Sequence, residues 1–163
     1  IEQNHGLKLP RALQQDFSQY VQQETDSHGK EMTHNALWQL FRSRYGLLAQ
    51  PTLALLDYQS DGQQDGELTL QAALRMNAEP RRLNGRGNGL LSAAANGLSA
   101  LLKRHFVIKD YHEHTLGARS DSRSVAYIRC VFANGESRWG VGIDNDVARA
   151  SLQALCNAVH ARD

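Results

Sequence analysis

The sequence predicts an α+β fold: two pseudo-symmetric βββα units packed as one domain, preceded by a small helical subdomain. Three observations carry that prediction. The chain falls onto itself when shifted by about 57 positions, so that Gly85 and Asn88 land on Gly142 and Asn145, Leu98 on Leu155, and Leu102 on Val159. Each copy combines the period-two alternation of half-buried strands with a following apolar stripe at helical spacing. Residues 1–50, by contrast, show helical spacing alone.

From Leu9 to about Ser27, the apolar positions Leu9, Leu13, Phe17, Tyr20 and Val21 predict a helix, with Pro10 suited to its first turn and Gly29 to its end. A second helix starts near Thr33 and gathers Leu37, Leu40, Phe41 and Tyr45 on one face, flanked by Trp38. Gly46 and Pro51 then break the pattern, which sets a helical subdomain at 1–50 against a domain at 51–163 with units at about 52–106 and 107–162. Two helices this short have little core of their own and are expected to lean on a neighbour. In the first unit Leu68, Leu70, Ala72, Leu74 and Met76 alternate with polar residues; in the second, Ala126, Ile128, Cys130 and Phe132 alternate with Val125, Tyr127, Arg129 and Val131. Trp139, Val141 and Ile143 mark a further short strand. Asn77-Ala78-Glu79 lands on Asn134-Gly135-Glu136, so the repeat is expected to run without gaps and with matching turns. The glycine-rich run Gly85–Gly89 leads to Asn88 as the expected helix N-cap, followed by Leu91, Ala94, Ala95, Leu98, Leu101 and Leu102 on one helical face. One helix cannot cover such a strand set alone, so the two units should pack together.

A chain of 163 residues supports one well-buried domain, or one plus a small appendage. With 18 basic against 17 acidic residues the net charge is +1, and no global field favours nucleic acid. Arg81, Arg82 and Arg86 form a local basic cluster without interleaved aromatics, a poor nucleic-acid surface. No run of about 18 apolar residues exists, so no membrane span is expected. Cys130 and Cys156 sit in apolar contexts, which fits a reducing cytoplasm better than a disulfide framework. The opening Ile1-Glu2-Gln3 reads as a piece of something longer.

His112 and His114 share a face if their segment is a strand, yet no third and fourth ligand follow at a fixed spacing; a solvated or ligand-lining strand is the expectation, and no metal. No serine or cysteine stands in a nucleophile elbow. Gly85–Gly89 is neither a dinucleotide fingerprint nor a Walker loop. A glycine-rich turn into a helix does aim free N–H groups and a positive helix end at whatever lies before it, which suits a small carboxylate. On its residues the chain reads as a small-molecule sensor or a dimerisation module, not a catalyst.

Three stretches together resemble the C-terminal part of the 2-isopropylmalate synthase family. They are His5-Gly6-Leu7-Lys8-Leu9-Pro10-Arg11-Ala12-Leu13-Gln14 with Phe17-Ser18 and Val21-Gln22; Gly87-Asn88-Gly89 with its helix; and Asp110-Tyr111, Glu113-His114, Gly117, Asp121, Ala126-Tyr127, Trp139 to Asp144 and Ala150-Ser151-Leu152. The resemblance implies a helical linker followed by a leucine-sensing regulatory domain of two βββα units that pairs into homodimers. It also implies a catalytic TIM barrel on the same polypeptide that condenses acetyl-CoA with 2-oxoisovalerate using a divalent metal, with no cofactor in the present segment. Carried over, the L-leucine site falls on Gly87, Asn88, Gly89, Leu91 and Ser92 at the helix start, Ile108, Tyr111 and Thr115 on the strand, and Ser122 on the loop. Either Asp110 or Asp121 is available for the ammonium. Leu90 replaces the family's usual proline, and Arg119, Ser122 and Arg123 replace its usual small residues. Citramalate synthase, with isoleucine as effector, shares the domain plan; a ligand-free dimerisation module is the remaining alternative.

Overall fold

The computed structural model describes residues 5–63, 65–117 and 122–160. Helix α1 (Arg11–His28) follows Pro10 and stops at Gly29, whose φ of 68° closes the last turn onto the Thr25 carbonyl. Helix α2 (His34–Tyr45) is capped by the Thr33 side chain, which accepts the Ala36 N–H at 3.1 Å. There follow β1 (Leu53–Gly62), β2 (Leu68–Met76), β3 (Glu79–Gly87) and α3 (Leu90–Leu102), then β4 (Phe106–Leu116), β5 (Arg123–Phe132), β6 (Ser137–Asp144) and α4 (Val147–Val159). Each unit forms its own antiparallel sheet, β1-β2-β3 and β4-β5-β6. The expected α+β architecture of two βββα units is therefore present. Among the described residues no helix is long and apolar enough to cross a membrane.

One core joins the units. Leu70, Ala72, Leu74 and Leu83 of the first sheet and Ala126, Ile128, Cys130 and Phe132 of the second bury against α3 and α4. Each helix lies mainly on its own sheet and also touches the first strand of the other unit, α3 on β4 and α4 on β1. Glycines allow the close approach: a Cβ on Gly85 would overlap the Ala93 carbonyl, and one on Gly142 the Ala150 carbonyl, the same helix position 57 residues later. The next contact trades sizes between the units. Leu83 on β3 faces Gly97 on α3, whereas Gly140 on β6 faces Ala154 on α4. Either arrangement fills the same gap, as close packing requires.

The repeat is not gapless. From Glu79 onward the shift is 57, but β2 maps onto β5 with a shift of 56 and β1 onto β4 with a shift of 53. The β2–β3 hairpin closes on the two-residue turn Asn77-Ala78, both at positive φ (52° and 70°). Its counterpart, the β5–β6 hairpin, uses three residues, Ala133 to Gly135, with Gly135 at φ 89°. The sequence match of the two turns concealed this extra residue. Both first strands share a β-bulge, at Leu56 between Leu55 and Asp57 and at Lys109 between Ile108 and Asp110.

The outer faces of the sheets differ completely. Val125, Tyr127, Trp139 and Val141 are covered by Leu7, Leu13, Phe17, Phe41 and Tyr45, so the helical pair leans on the second sheet. Position for position, the first sheet carries Thr69, Gln71, Arg82 and Asn84 there, which suit water. This is why β5 is apolar on both faces while β2 alternates.

Candidate functional site

The two helix starts are pseudo-equivalent and differ in one respect that matters. The N-cap of α4 is Asp146, whose carboxylate accepts the Ala148 N–H at 3.0 Å and the Tyr58 hydroxyl at 3.2 Å. The N-cap of α3 is the equivalent residue Gly89, with no side chain to offer. Asn88, expected as the cap, sits one residue earlier and is exposed; the helix begins at Leu90 rather than at Gly89. The Ser92 hydroxyl folds back onto Gly89, receiving its N–H at 3.0 Å. That satisfies the amide of Gly89 and leaves the first-turn N–H groups of α3, those of Leu90 to Ser92, without an acid cap.

The glycines of this loop answer to different demands. Gly87 is buried, and a Cβ there would stand 2.5 Å from Ser92 Oγ and 2.6 Å from the Ala93 amide nitrogen. At Gly89 a Cβ would meet nothing within 4 Å, and its φ of −160° is ordinary extended backbone. Packing explains Gly87. It does not explain Gly89.

The expected strand residues lie on β4, and its pairing with β5 sorts them by face. Ile108, Tyr111, Glu113 and Thr115 pair with Cys130, Ile128, Ala126 and Ser124, on the face of the shared core. Asp110, His112 and His114 pair with Arg129, Tyr127 and Val125, on the face of the helical pair. Asp110 is ion-paired with Arg129, on the opposite face from Tyr111. Ile108 and Leu91 are half-buried at the margin of the same core. The Tyr111 hydroxyl hydrogen-bonds Glu113 and lies 2.8 Å from Ser151 Oγ of α4. Burial first, then the bond to Glu113, raises this phenol above its usual 10, so it stays a protonated donor. Tyr58 of β1 is the counterpart of Tyr111, but where the Tyr58 hydroxyl reaches the α4 N-cap, that of Tyr111 goes to Glu113 and to Ser151 of α4.

Of the remaining expected residues, Thr115 lies further along β4 on the face of Tyr111 and Glu113. Ser122 lies beside Gly117 at that far end. Asp121 falls outside the described residues. His114 Nε2 lies 2.7 Å from the Tyr127 hydroxyl and accepts the Lys8 backbone N–H at 3.1 Å, tying the segment before α1 to β4. Among the described residues no three metal-ligating side chains converge. Two clefts lie elsewhere. One, of about 470 Å³, runs along the seam of α1, α2 and β6 past Asp16, Arg44 and Trp139; the other, about 530 Å³, crosses Leu9, Phe17, Val21 and Leu37. The candidate site is instead the uncapped start of α3, a helix that also touches β4. Glu113 and Ser151 escaped the sequence reading as site residues, because facing depends on a bulge and on α4 lying alongside, neither of which leaves a local signal.

Comparison with known proteins decides the family. The model of the LeuA allosteric (dimerisation) domain matches residues 31–162. The chain belongs to that family. It is 41% identical over 162 residues to a 2-isopropylmalate synthase of Marinomonas sp. (strain MWYL1), covering 98% of this chain and 29% of the relative. It is 35% identical over 160 residues to the 2-isopropylmalate synthase of Thermobifida fusca, with 98% and 28% covered. With that of Rhodospirillum rubrum the figure is 36% over 166 residues, with 100% and 30% covered. The chain thus spans under a third of the length of these relatives, and corresponds to the regulatory part of the family.

Proposed function

We propose that this chain is the leucine-sensing regulatory domain of a 2-isopropylmalate synthase, binding L-leucine between the α3 start and β4. The observation that carries the reading is internal to the molecule. At α4 a carboxylate, that of Asp146, sits on the helix N-terminus and receives a tyrosine hydroxyl; at α3 the same position is open, because Gly89 brings no side chain. The effector's carboxylate takes the place that Asp146 fills in the other unit, accepting N–H groups from Leu90 to Ser92. Leu91 and Ile108, half-buried at the core margin, receive the isobutyl group, whose four carbons contribute about 3 kcal/mol at about 0.8 kcal/mol each. Gly87 sets the close approach of loop and helix, and Asn88 flanks the helix start.

In this reading the domain pairs with a second copy and restrains a catalytic barrel borne by the same polypeptide in the cytoplasm. That barrel joins acetyl-CoA to 2-oxoisovalerate with a divalent metal, and the present segment, holding neither metal nor cofactor, is inactive alone. Residues 1–50 act as the linker and 51–163 as the regulatory domain. Calorimetric titration with L-leucine and L-isoleucine tests the reading. Saturable binding that prefers leucine supports it; preference for isoleucine would move the parent enzyme to citramalate synthase. Absence of heat with both would refute the sensor and leave a dimerisation module.

A further inference from the structure

We propose that Glu113 is the group that recognises the effector's ammonium, and so the residue that makes this site select α-amino acids over plain carboxylic acids. The inference rests on the effector reading above and supplies what that reading lacks, a partner for the positive charge.

The pairing of β4 decides between the acids of this strand. Asp110 and Glu113 are three residues apart, a separation that places them on opposite faces of a strand. Asp110 pairs with Arg129 across β5, forms an ion pair with it and faces the helical pair. Its charge is already neutralised. Glu113 pairs with Ala126, whose side chain lies in the shared core, and so stands on the face of Ile108 and Tyr111. It is the one acid on that face of β4. Glu113 is exposed, forms no ion pair among the described residues, and receives the Tyr111 hydroxyl on one carboxylate oxygen. The other oxygen is open to an incoming donor. The bond from Tyr111 also fixes the carboxylate beside the phenol instead of leaving it to sweep through solvent.

The pseudo-equivalent position points the same way. Ser60 on β1 corresponds to Glu113 on β4, two residues beyond the Tyr58 whose hydroxyl reaches Asp146 at the other helix start. An acid is absent where the helix carries its own carboxylate and present where the carboxylate must come with a ligand. An α-amino acid supplies both charges at once: its carboxylate goes to the α3 amides and its ammonium to Glu113, with Tyr111 between.

The test compares L-leucine with 4-methylpentanoate, the same skeleton without the amine, on the wild-type chain and on Glu113→Gln and Asp110→Asn. The wild type should prefer leucine. E113Q should weaken leucine about 10- to 100-fold, the range of a hydrogen bond to a charged group. Its affinity for 4-methylpentanoate should hold or improve, so that the preference collapses. Because the side chain is exposed, the melting temperature should not move. D110N should keep the wild-type preference. An unchanged preference in E113Q, or its collapse in D110N instead, would overturn the assignment while leaving leucine sensing intact. A wild-type chain that binds no leucine would overturn the sensor itself.

Discussion

Gly87 and Gly89 lie two residues apart, and the structure predicts opposite consequences for replacing them by alanine. At Gly87 the new methyl group would stand 2.6 Å from the Ala93 amide nitrogen and 2.8 Å from the Ser92 carbonyl carbon. Ser92 Oγ can rotate away, but those backbone atoms belong to the first turn of α3 and cannot move without lifting the helix from β3. Overpacking of that kind costs about 1–3 kcal/mol, and a backbone obstacle puts Gly87→Ala at the upper end. For a chain of 163 residues each kcal/mol lowers the melting temperature by about 2–4 °C, so the expected fall is about 6–12 °C. At Gly89 the methyl group meets nothing, and the extended backbone accepts alanine; only the poorer N-cap remains, at about 1 kcal/mol or less. Gly89→Ala should therefore melt within about 4 °C of wild type. Its leucine affinity should fall, because the methyl group enters the space that the carboxylate needs. Thermal melts and calorimetry on both variants settle the matter. If G89A were as destabilised as G87A, the helix start would be misassigned. If it bound leucine like the wild type, the carboxylate would not lie on α3.

Three further expectations follow from particular contacts. Asp146→Ala removes the α4 cap and the Tyr58 partner, and should cost about 1 kcal/mol in chemical denaturation while leaving the effector preference at α3 intact. His114→Ala removes the acceptor of the Lys8 N–H, so amide hydrogen exchange at Leu7 and Lys8 should accelerate while that of β5 holds; equal exchange in wild type and variant would show the tie to be unimportant. Arg138 first, and Arg104 with it, hold Glu136 below the ordinary carboxylate pKa. A depressed carboxylate contributes stability that is present above its unfolded value and lost as pH falls through the folded one, so Glu136→Gln should flatten the loss of stability below about pH 4.5.

Local chemistry determined much of this protein before any folding was considered. Alternation and helical spacing specify the two units and the paired helices, since side-chain periodicity is a property of the backbone itself. Cap residues at Thr33, Gly29 and Gly46 mark helix ends because their preferences are local. Even the covering of the second sheet is legible afterwards, in Val125, Tyr127 and Trp139 standing where the first sheet has Thr69, Gln71 and Arg82. What the sequence could not set was register. A single extra turn residue at Ala133–Gly135 and the three-residue offset of β4 hide inside an apparent 57-residue repeat, because small identities at turns persist through a one-residue slip. Register in turn decides facing, and facing decides which acid meets a ligand. Asp110 and Glu113 look alike along the chain; only the bulge at Lys109 and the pairing with β5 turn one toward Arg129 and the other toward Tyr111.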